Sequence, residues 1–141
     1  MSSKEDKLLN KKWNKLNEII PLFRFIPFVD FVLVSGSMAI GNVKRNSDFD
    51  VLIGVKKGRI FTVRIFCYVL FSILGLARRQ KDTKIQANNK LCFNHFVTSK
   101  SYKLSNKPNK YWKDLYRNLV PVYGNKVKIT NFFNENSWSG R

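Results

Sequence analysis

The most informative stretch of this sequence is residues 34–53, which read VSGSMAIGNVKRNSDFDVLI. The β-branched and aromatic run at 31–34 leads into a Ser-Gly-Ser turn at 35–37, and this pattern predicts a buried strand that ends in a tight turn. Residues 48–55, DFDVLIGV, predict a second strand. The segment between the two strands has room for one or two helical turns.

Further elements flank this stretch. Apolar residues recur at helical spacing in residues 4–20 and predict an amphipathic helix that ends near Pro21. The other predicted elements are helices at about 60–78, 108–121 and 127–138 and a strand at about 90–98. This order predicts an α/β or α+β fold, a small mixed sheet covered by helices. We expect a single domain over 1–141, with a core at about 30–98 and a C-terminal helical extension at about 106–141.

The chain is strongly basic. It has 26 Lys and Arg residues against 9 Asp and Glu residues in a total of 141, which gives a formal net charge of +17 at pH 7. Such an excess favours polyanionic partners, namely nucleic acid, nucleotide phosphates or an acidic membrane surface. A hydrophobic fraction of 44%, with 12 Phe, 5 Tyr and 3 Trp, excludes a disordered basic tail.

The sequence offers few thiol or imidazole ligands. Cys67 and Cys92 are its two cysteines and His95 is its one histidine. These residues alone cannot form a disulfide framework or a zinc ligand set. Each cysteine lies in an apolar stretch, and we expect both to be small core residues. The N-terminal residues lack the apolar segment of a signal peptide, so we expect a cytoplasmic protein.

Residues 60–77, IFTVRIFCYVLFSILGLA, are the candidate for a membrane-spanning segment. Arg64 interrupts the stretch, and the uninterrupted part at 65–77 spans only about 20 Å, against a hydrocarbon core of about 30 Å. We therefore expect a buried helix and no stable membrane span. An interfacial helix remains an alternative.

Two carboxylates open the second strand. Asp48 and Asp50 are two residues apart, and side chains at this spacing point to the same face of a strand. Such a pair can converge on one metal ion. Magnesium fits best, because it takes oxygen ligands and is commonly held by one or two carboxylates together with substrate phosphates.

Gly36 and Ser37 supply the complementary half of a nucleotide site. A glycine after a strand allows close approach of a ligand, and a serine at the start of a helix offers hydroxyl and amide groups to a phosphate oxygen. A metal ion that bridges the two carboxylates to a triphosphate would also neutralise charge as pyrophosphate departs. The residues together predict nucleotidyl transfer.

The Gly-Ser pair, the ten-residue spacing and the DFDVLI run after Asn46-Ser47 resemble the signature of the nucleotidyltransferase superfamily related to DNA polymerase beta. The likeness is strongest to the minimal single-domain members. The motif covers residues 34–53, and the order of elements extends the agreement to about Thr98. The C-terminal part is similar to uncharacterised prokaryotic nucleotidyltransferase-domain proteins, which are longer, so we expect a short or truncated member.

The resemblance implies a third carboxylate on a later strand. The carboxylates after Asp50 are Asp82, Asp114 and Glu135, none of them in a strand-like context. Asn94 stands at the centre of the predicted strand, where the acid would be expected. An amide oxygen can bind magnesium but cannot take a proton from a hydroxyl group. We therefore expect Asn94 to mark a degenerate third position and transfer to be weakened or lost.

Other polar residues receive lesser roles. Strand alternation predicts that His95 points away from the face of Asn94 and is a packed or surface residue. Lys44 and Arg45 lie between the two halves of the motif and are candidates for contacting the triphosphate. The lysines of the first helix could bind an RNA or DNA acceptor, but for any one of them a solvated position is expected: Lys4, Lys7, Lys11, Lys12 and Lys15. The minimal members of the resembled family that act as antitoxins often carry an arginine directly after Gly-Ser. Met38 occupies that position here, which argues against an antitoxin role.

The sequence thus predicts a magnesium-dependent domain that binds a nucleoside triphosphate and transfers a nucleoside monophosphate to a hydroxyl acceptor on RNA, DNA or protein. Active relatives imply two metal ions. Two alternatives stay open. One is a non-catalytic module that keeps the fold and binds nucleic acid or a partner. The other is a basic membrane-associated protein that uses the 60–78 segment.

Overall fold

The computed structural model describes residues 3–41, 43, 48–77, 90–104 and 110–140, without the side chains of residues 3–5 and 94. Its elements in chain order are α1 (Ser3–Ile19), a 3₁₀ helix (Ile20–Phe25), β1 (Val29–Ser35), α2 (Ser37–Ile40), β2 (Phe49–Val55), α3 (Ile60–Ile73), β3 (Leu91–Val97), α4 (Lys110–Arg117), β4 (Val120–Gly124), α5 (Lys126–Glu135) and a second 3₁₀ helix (Ser137–Ser139). The predicted α+β fold with a small mixed sheet is confirmed.

The four strands form one sheet in the order β3-β2-β1-β4. β2 and β4 both run antiparallel to β1, and β3 runs parallel to β2. In the central pair, Leu33 lies opposite Leu52 and Ser35 lies opposite Asp50. Every residue of β1 after Val29 is buried. A strand buried on both faces needs a nearly continuous apolar run, which is the pattern that the sequence shows here.

Helices cover both faces of the sheet. On the α1/α3 face, Val32, Val34, Val51 and Ile53 pack against buried residues of α1, the first 3₁₀ helix and α3. On the opposite α4/α5 face, the core residues are Phe31, Leu33, Leu52, Val97, Tyr102, Tyr116, Leu119 and Phe132. Because side chains alternate along a strand, each strand contributes to both cores.

β4 is an element that the sequence analysis missed, since the C-terminal extension was expected to be helical throughout. Pro121 marks the end of a predicted helix there, yet it lies in β4 opposite Leu33. β4 is an edge strand, where a proline that cannot donate a hydrogen bond is tolerated. Gly124 has φ of 113°, and a Cβ at this position would collide with the backbone of Asp30 and Phe31. The glycine therefore permits the close approach of β4 to β1.

α3 differs from the buried helix that the sequence predicts. Val63, Cys67 and Phe71 form its one buried stripe, while most of its other apolar side chains are exposed. The helix ends at Ile73, and its C-cap Leu74 is followed by Gly75 with φ of 71°. Within the described ranges, no helix combines the length and the apolar character needed to cross a bilayer.

Candidate functional site

Polar side chains from three strands meet at one end of the sheet, where β1 ends and β2 and β3 begin. Ser35, Asp50 and Cys92 lie side by side on the three neighbouring strands, because Asp50 pairs with Ser35 on one side and with Cys92 on the other. The ligand atoms of Asp48, Asp50 and Cys92 all lie within 4.8 Å of one another, and the three residues are half-buried. The predicted convergence of the acid pair is therefore seen in the structure.

Gly36 permits this arrangement. Its backbone has φ of 70° and ψ of −146°, a conformation that side chains with a Cβ rarely adopt. A Cβ at this position would also collide with Oδ2 of Asp50. Behind it, the buried Ser35 hydroxyl donates a long hydrogen bond of 3.5 Å to the carbonyl oxygen of Asp50. The turn after β1 therefore requires glycine because the Asp50 carboxylate lies against it.

An open cleft of about 290 Å³ adjoins the acid pair. Gly36, Ser37 and Asp50 contribute to its lining on the sheet side. The other side is formed by α4, through Tyr111, Asp114, Leu115 and Asn118. No functional role was predicted for α4 from the sequence. The sequence feature that could have indicated a role is the spacing of residues 111, 114 and 118, which places their side chains on one face of the helix.

Lys12 is a buried cation beside the acid pair. The residue is 3% exposed, and its ammonium nitrogen lies 5.9 Å from the centroid of the Phe49 ring. Burial lowers the pKa of Lys12, and the negative charge of nearby Asp48 opposes that shift. The expectation of a solvated position is therefore wrong for this lysine. Lys12 precedes the buried Leu16 by four residues, and this spacing is the sequence feature that indicates a position on the buried side of α1.

A β-bulge changes the orientation expected for His95. Val51 pairs with Phe93 and the next residue, Leu52, pairs with His95, so Asn94 is the extra residue in β3. His95 consequently lies on the α4/α5 face, where it lines a small cavity of about 60 Å³ with Leu52 and Trp112. Burial lowers the pKa of His95. His95 is thus a packed residue, as predicted, and the bulge places it on the face of Leu52, where a regular strand would have placed it on the opposite face. Its orientation relative to the Asn94 side chain stays a prediction.

The two cysteines differ. Cys67 is fully buried in the α1/α3 core, as predicted, and burial raises the pKa of its thiol to about 12. Cys92 is half-buried beside the acid pair, so the prediction of a core residue is wrong for it. Cys92 pairs with Asp50 ahead of the bulge, so the two side chains lie on the same face of the sheet. No local sequence motif predicts this position.

The structure describes some of the predicted site residues and not others. Asp48, Asp50, Gly36 and Ser37 are brought to one end of the sheet. Lys44 and Arg45 lie outside the described residues. The backbone of Asn94 is in β3, but its side chain is likewise outside the described part, so its assignment as a degenerate third position stays a prediction.

The donor set fits a divalent cation. Two carboxylates provide the hard oxygen ligands that magnesium prefers. The neighbouring thiol of Cys92 is a softer ligand, of the kind that favours zinc over magnesium when it is deprotonated. Asp48 and Asp50 are thus the residues that would hold magnesium, and Cys92 is the residue that would favour a more thiophilic ion.

No family model matches the chain, and no curated protein matches it. Among solved structures the chain is similar to one described as the crystal structure of the toxin-antitoxin with AMP-PNP. The two share 16% sequence identity with a TM-score of 0.50, and the alignment covers 90% of this chain and 87% of that chain. At this identity, the likeness is one of fold: the chain follows most of the backbone course of that protein.

Proposed function

We propose that this protein binds a nucleoside triphosphate with a divalent cation and transfers a nucleoside monophosphate to a hydroxyl acceptor. The observation that carries the proposal is the placement of Asp48 and Asp50. Their carboxylates approach each other, and Asp50 lines a cleft together with Gly36 and Ser37. The similarity in fold to a structure that contains AMP-PNP supports the choice of a nucleotide. We propose further that residues 1–141 act as one domain.

Each part of the cleft has a proposed role. Asp48 and Asp50 hold magnesium, which when bound would orient the triphosphate and offset its negative charge. Ser37 offers its hydroxyl group to a phosphate oxygen, and Lys44 and Arg45 are proposed as further phosphate contacts. Lys12 holds positive charge beside Asp48. Tyr111 of α4 gives the cleft an aromatic surface suited to the base of the nucleotide.

The transfer step forms a bond between the acceptor oxygen and the α-phosphorus, and it breaks the bond from that phosphorus to the bridging oxygen. Pyrophosphate leaves, and the hydroxyl proton needs a base. Asp114 is the carboxylate that lines the cleft from α4, and we propose it for this task. If Asn94 occupies the third ligand position, transfer is slower than binding would suggest.

Calorimetric titration of AMP-PNP tests the proposal. We expect binding that requires Mg²⁺ or Mn²⁺ and that falls by at least about tenfold in Asp50→Asn, because a carboxylate ligand is lost. Glu18→Gln is the matched control, since it removes one acidic charge from an exposed position on α1. Binding that is independent of metal, or equally weak in both variants, would refute the proposal. Transfer is then measured separately with an α-labelled nucleoside triphosphate.

The net charge of +17 favours a second candidate, a module that binds nucleic acid without catalysis. Contacts with phosphates release counterions, so affinity for RNA or DNA would fall steeply as salt rises. This candidate predicts binding that Asp50→Asn leaves unchanged or strengthens. A flat salt response would exclude it.

A further inference from the structure

One side of α3 presents an unusual apolar surface. Phe61, Ile65, Val69 and Ile73 recur at every fourth position and are 77%, 63%, 54% and 77% exposed. Residues four apart lie on the same side of a helix, so the four side chains form a continuous stripe along its whole length. We call these four residues the α3 stripe. Phe66, Tyr68 and Leu74 are also exposed beside it.

The α3 stripe is not needed for packing on the sheet. The side chains that α3 buries are Val63, Cys67 and Phe71, which form a separate stripe in the α1/α3 core. A surface helix normally carries polar residues on the side away from the core. α3 has apolar residues on both sides, and Arg64 is its one charged residue. An exposed apolar surface of this kind marks an interaction site.

Arg59 and Arg64 are cations at the start of α3 and within it. Arg59 precedes the first turn of α3, and its guanidinium carbon lies 4.8 Å from the centroid of the exposed Phe28 ring. Arg64, in the helix itself, is exposed, and its guanidinium carbon lies 5.2 Å from the centroid of the Phe96 ring. The sequence that follows α3 adds the cations Arg78, Arg79, Lys81 and Lys84 and a single acid, Asp82. Apolar surface and positive charge therefore occur together on α3 and at its N-terminal end, and the sequence that follows the helix is also basic.

We propose that the α3 stripe docks onto an anionic lipid bilayer, with α3 lying parallel to the membrane plane. Its 14 residues measure about 21 Å, which suits a helix seated at the boundary of headgroups and acyl chains. Anionic lipids attract nearby Lys and Arg residues, so the charges complement this occupant. A second copy of the chain fits less well, because it would bring two molecules of net charge +17 together through surfaces that carry Arg59 and Arg64.

The docking surface and the acidic cleft lie on opposite faces of the sheet. α3 packs on the α1/α3 face, whereas the cleft lies between the sheet and α4. A docked molecule would keep the cleft open to solvent. The proposal therefore does not depend on the proposed nucleotide chemistry, and either can fail without the other.

Vesicle co-sedimentation of the full chain tests the docking. The probes are phosphatidylcholine vesicles and vesicles with about 30% phosphatidylglycerol. We expect binding to the anionic vesicles alone, and a decrease of at least about tenfold in the double variant Ile65→Ser/Val69→Ser. These exposed substitutions leave the charge unchanged and spare the core. Val127→Ser is the matched control, because Val127 is a 69% exposed apolar residue on α5.

A second measurement places a probe in the stripe. In Phe61→Trp, indole emission should shift to shorter wavelength with anionic vesicles, while the emission of Val127→Trp should not respond. Three results would overturn the proposal: no vesicle binding; vesicle binding that the double serine variant retains, which would mean attraction by charge alone; or a dimer in sedimentation velocity that the double serine variant abolishes, which would identify a second copy as the occupant.

Discussion

The two faces of the sheet differ in how far apolar residues extend along the strands. On the α1/α3 face, apolar side chains run the length of the central pair, from Val55 to Phe49 in β2. On the α4/α5 face, Leu52 gives way to Asp50 and Cys92 at the end where the cleft opens. The α1/α3 face is therefore apolar along its whole length and serves packing. The α4/α5 face has an apolar core at one end and a polar site at the other.

The division follows from strand geometry. Residues two apart share a face, so the polar positions of β2 on the cleft side leave the opposite face fully apolar. Among the described residues, Lys12 is a buried polar exception on the α1/α3 side, and it lies at the same end as the acid pair. Substitutions on the two faces should therefore separate loss of stability from loss of ligand binding.

The largest expected effect on stability comes from Phe71→Ala on the α1/α3 face. Phe71 is fully buried, with its ring centroid 5.0 Å from that of Phe23. Removing a buried phenylalanine ring costs about 3–5 kcal/mol in free energy of unfolding, which urea titration would measure. We expect the fraction that remains folded to bind Mn²⁺ with unchanged affinity. A parallel loss of Mn²⁺ affinity would show that the two faces are coupled.

Gly36→Ala should produce the next effect, at the cleft end of the other face. A residue with a Cβ at φ of 70° is strained by about 1–3 kcal/mol, and the new Cβ would displace the carboxylate of Asp50. We therefore expect a modest loss of stability together with a clear loss of Mn²⁺ affinity in calorimetry. Gly58→Ala is the matched control, since Gly58 has φ of 79° and its Cβ would meet nothing within 4 Å. Equal loss of Mn²⁺ affinity in the two variants would contradict the contact with Asp50.

The regions that the sequence predicted well are those where one local pattern dominates. The strand, turn and strand around residues 34–53 follow from apolar runs interrupted by Ser-Gly-Ser, and the acid pair follows from its two-residue spacing. The structure brings these residues together as expected. This part of the fold needed no knowledge of distant contacts.

The parts that were missed depend on distant contacts. Pro121 resembles a helix terminator until β1 is available as a partner for an edge strand. The bulge at Asn94 depends on pairing with β2 and reverses the side on which His95 lies. Cys92 gains a site position only because it pairs with Asp50. Each error came from an argument about one segment alone.

Lys12→Met tests the role of the buried lysine on the α1/α3 side, and we expect a smaller effect on Mn²⁺ affinity than for Gly36→Ala. The substitution keeps the length of the side chain but removes a positive charge near Asp48. We expect a divalent cation to bind about threefold to tenfold more tightly, because its electrostatic competitor is gone. Lys15→Met on the exposed side of α1 is the control. Unchanged Mn²⁺ affinity in Lys12→Met would mean that the lysine acts only through packing.

The smallest expected effect is a pH dependence from His95 on the α4/α5 face. Because burial lowers its pKa in the folded protein, the unfolded chain binds a proton more readily. The stability gained from neutral His95 is full above the unfolded pKa of about 6.5 and is lost as pH falls through the folded pKa. His95→Gln should therefore lose less stability than the native chain as pH falls from neutrality. Urea unfolding at several pH values would measure the difference, and parallel profiles would place His95 in a solvated setting. A smaller loss of stability in His95→Gln at low pH would show that the α4/α5 face excludes water around His95, close to the acid pair.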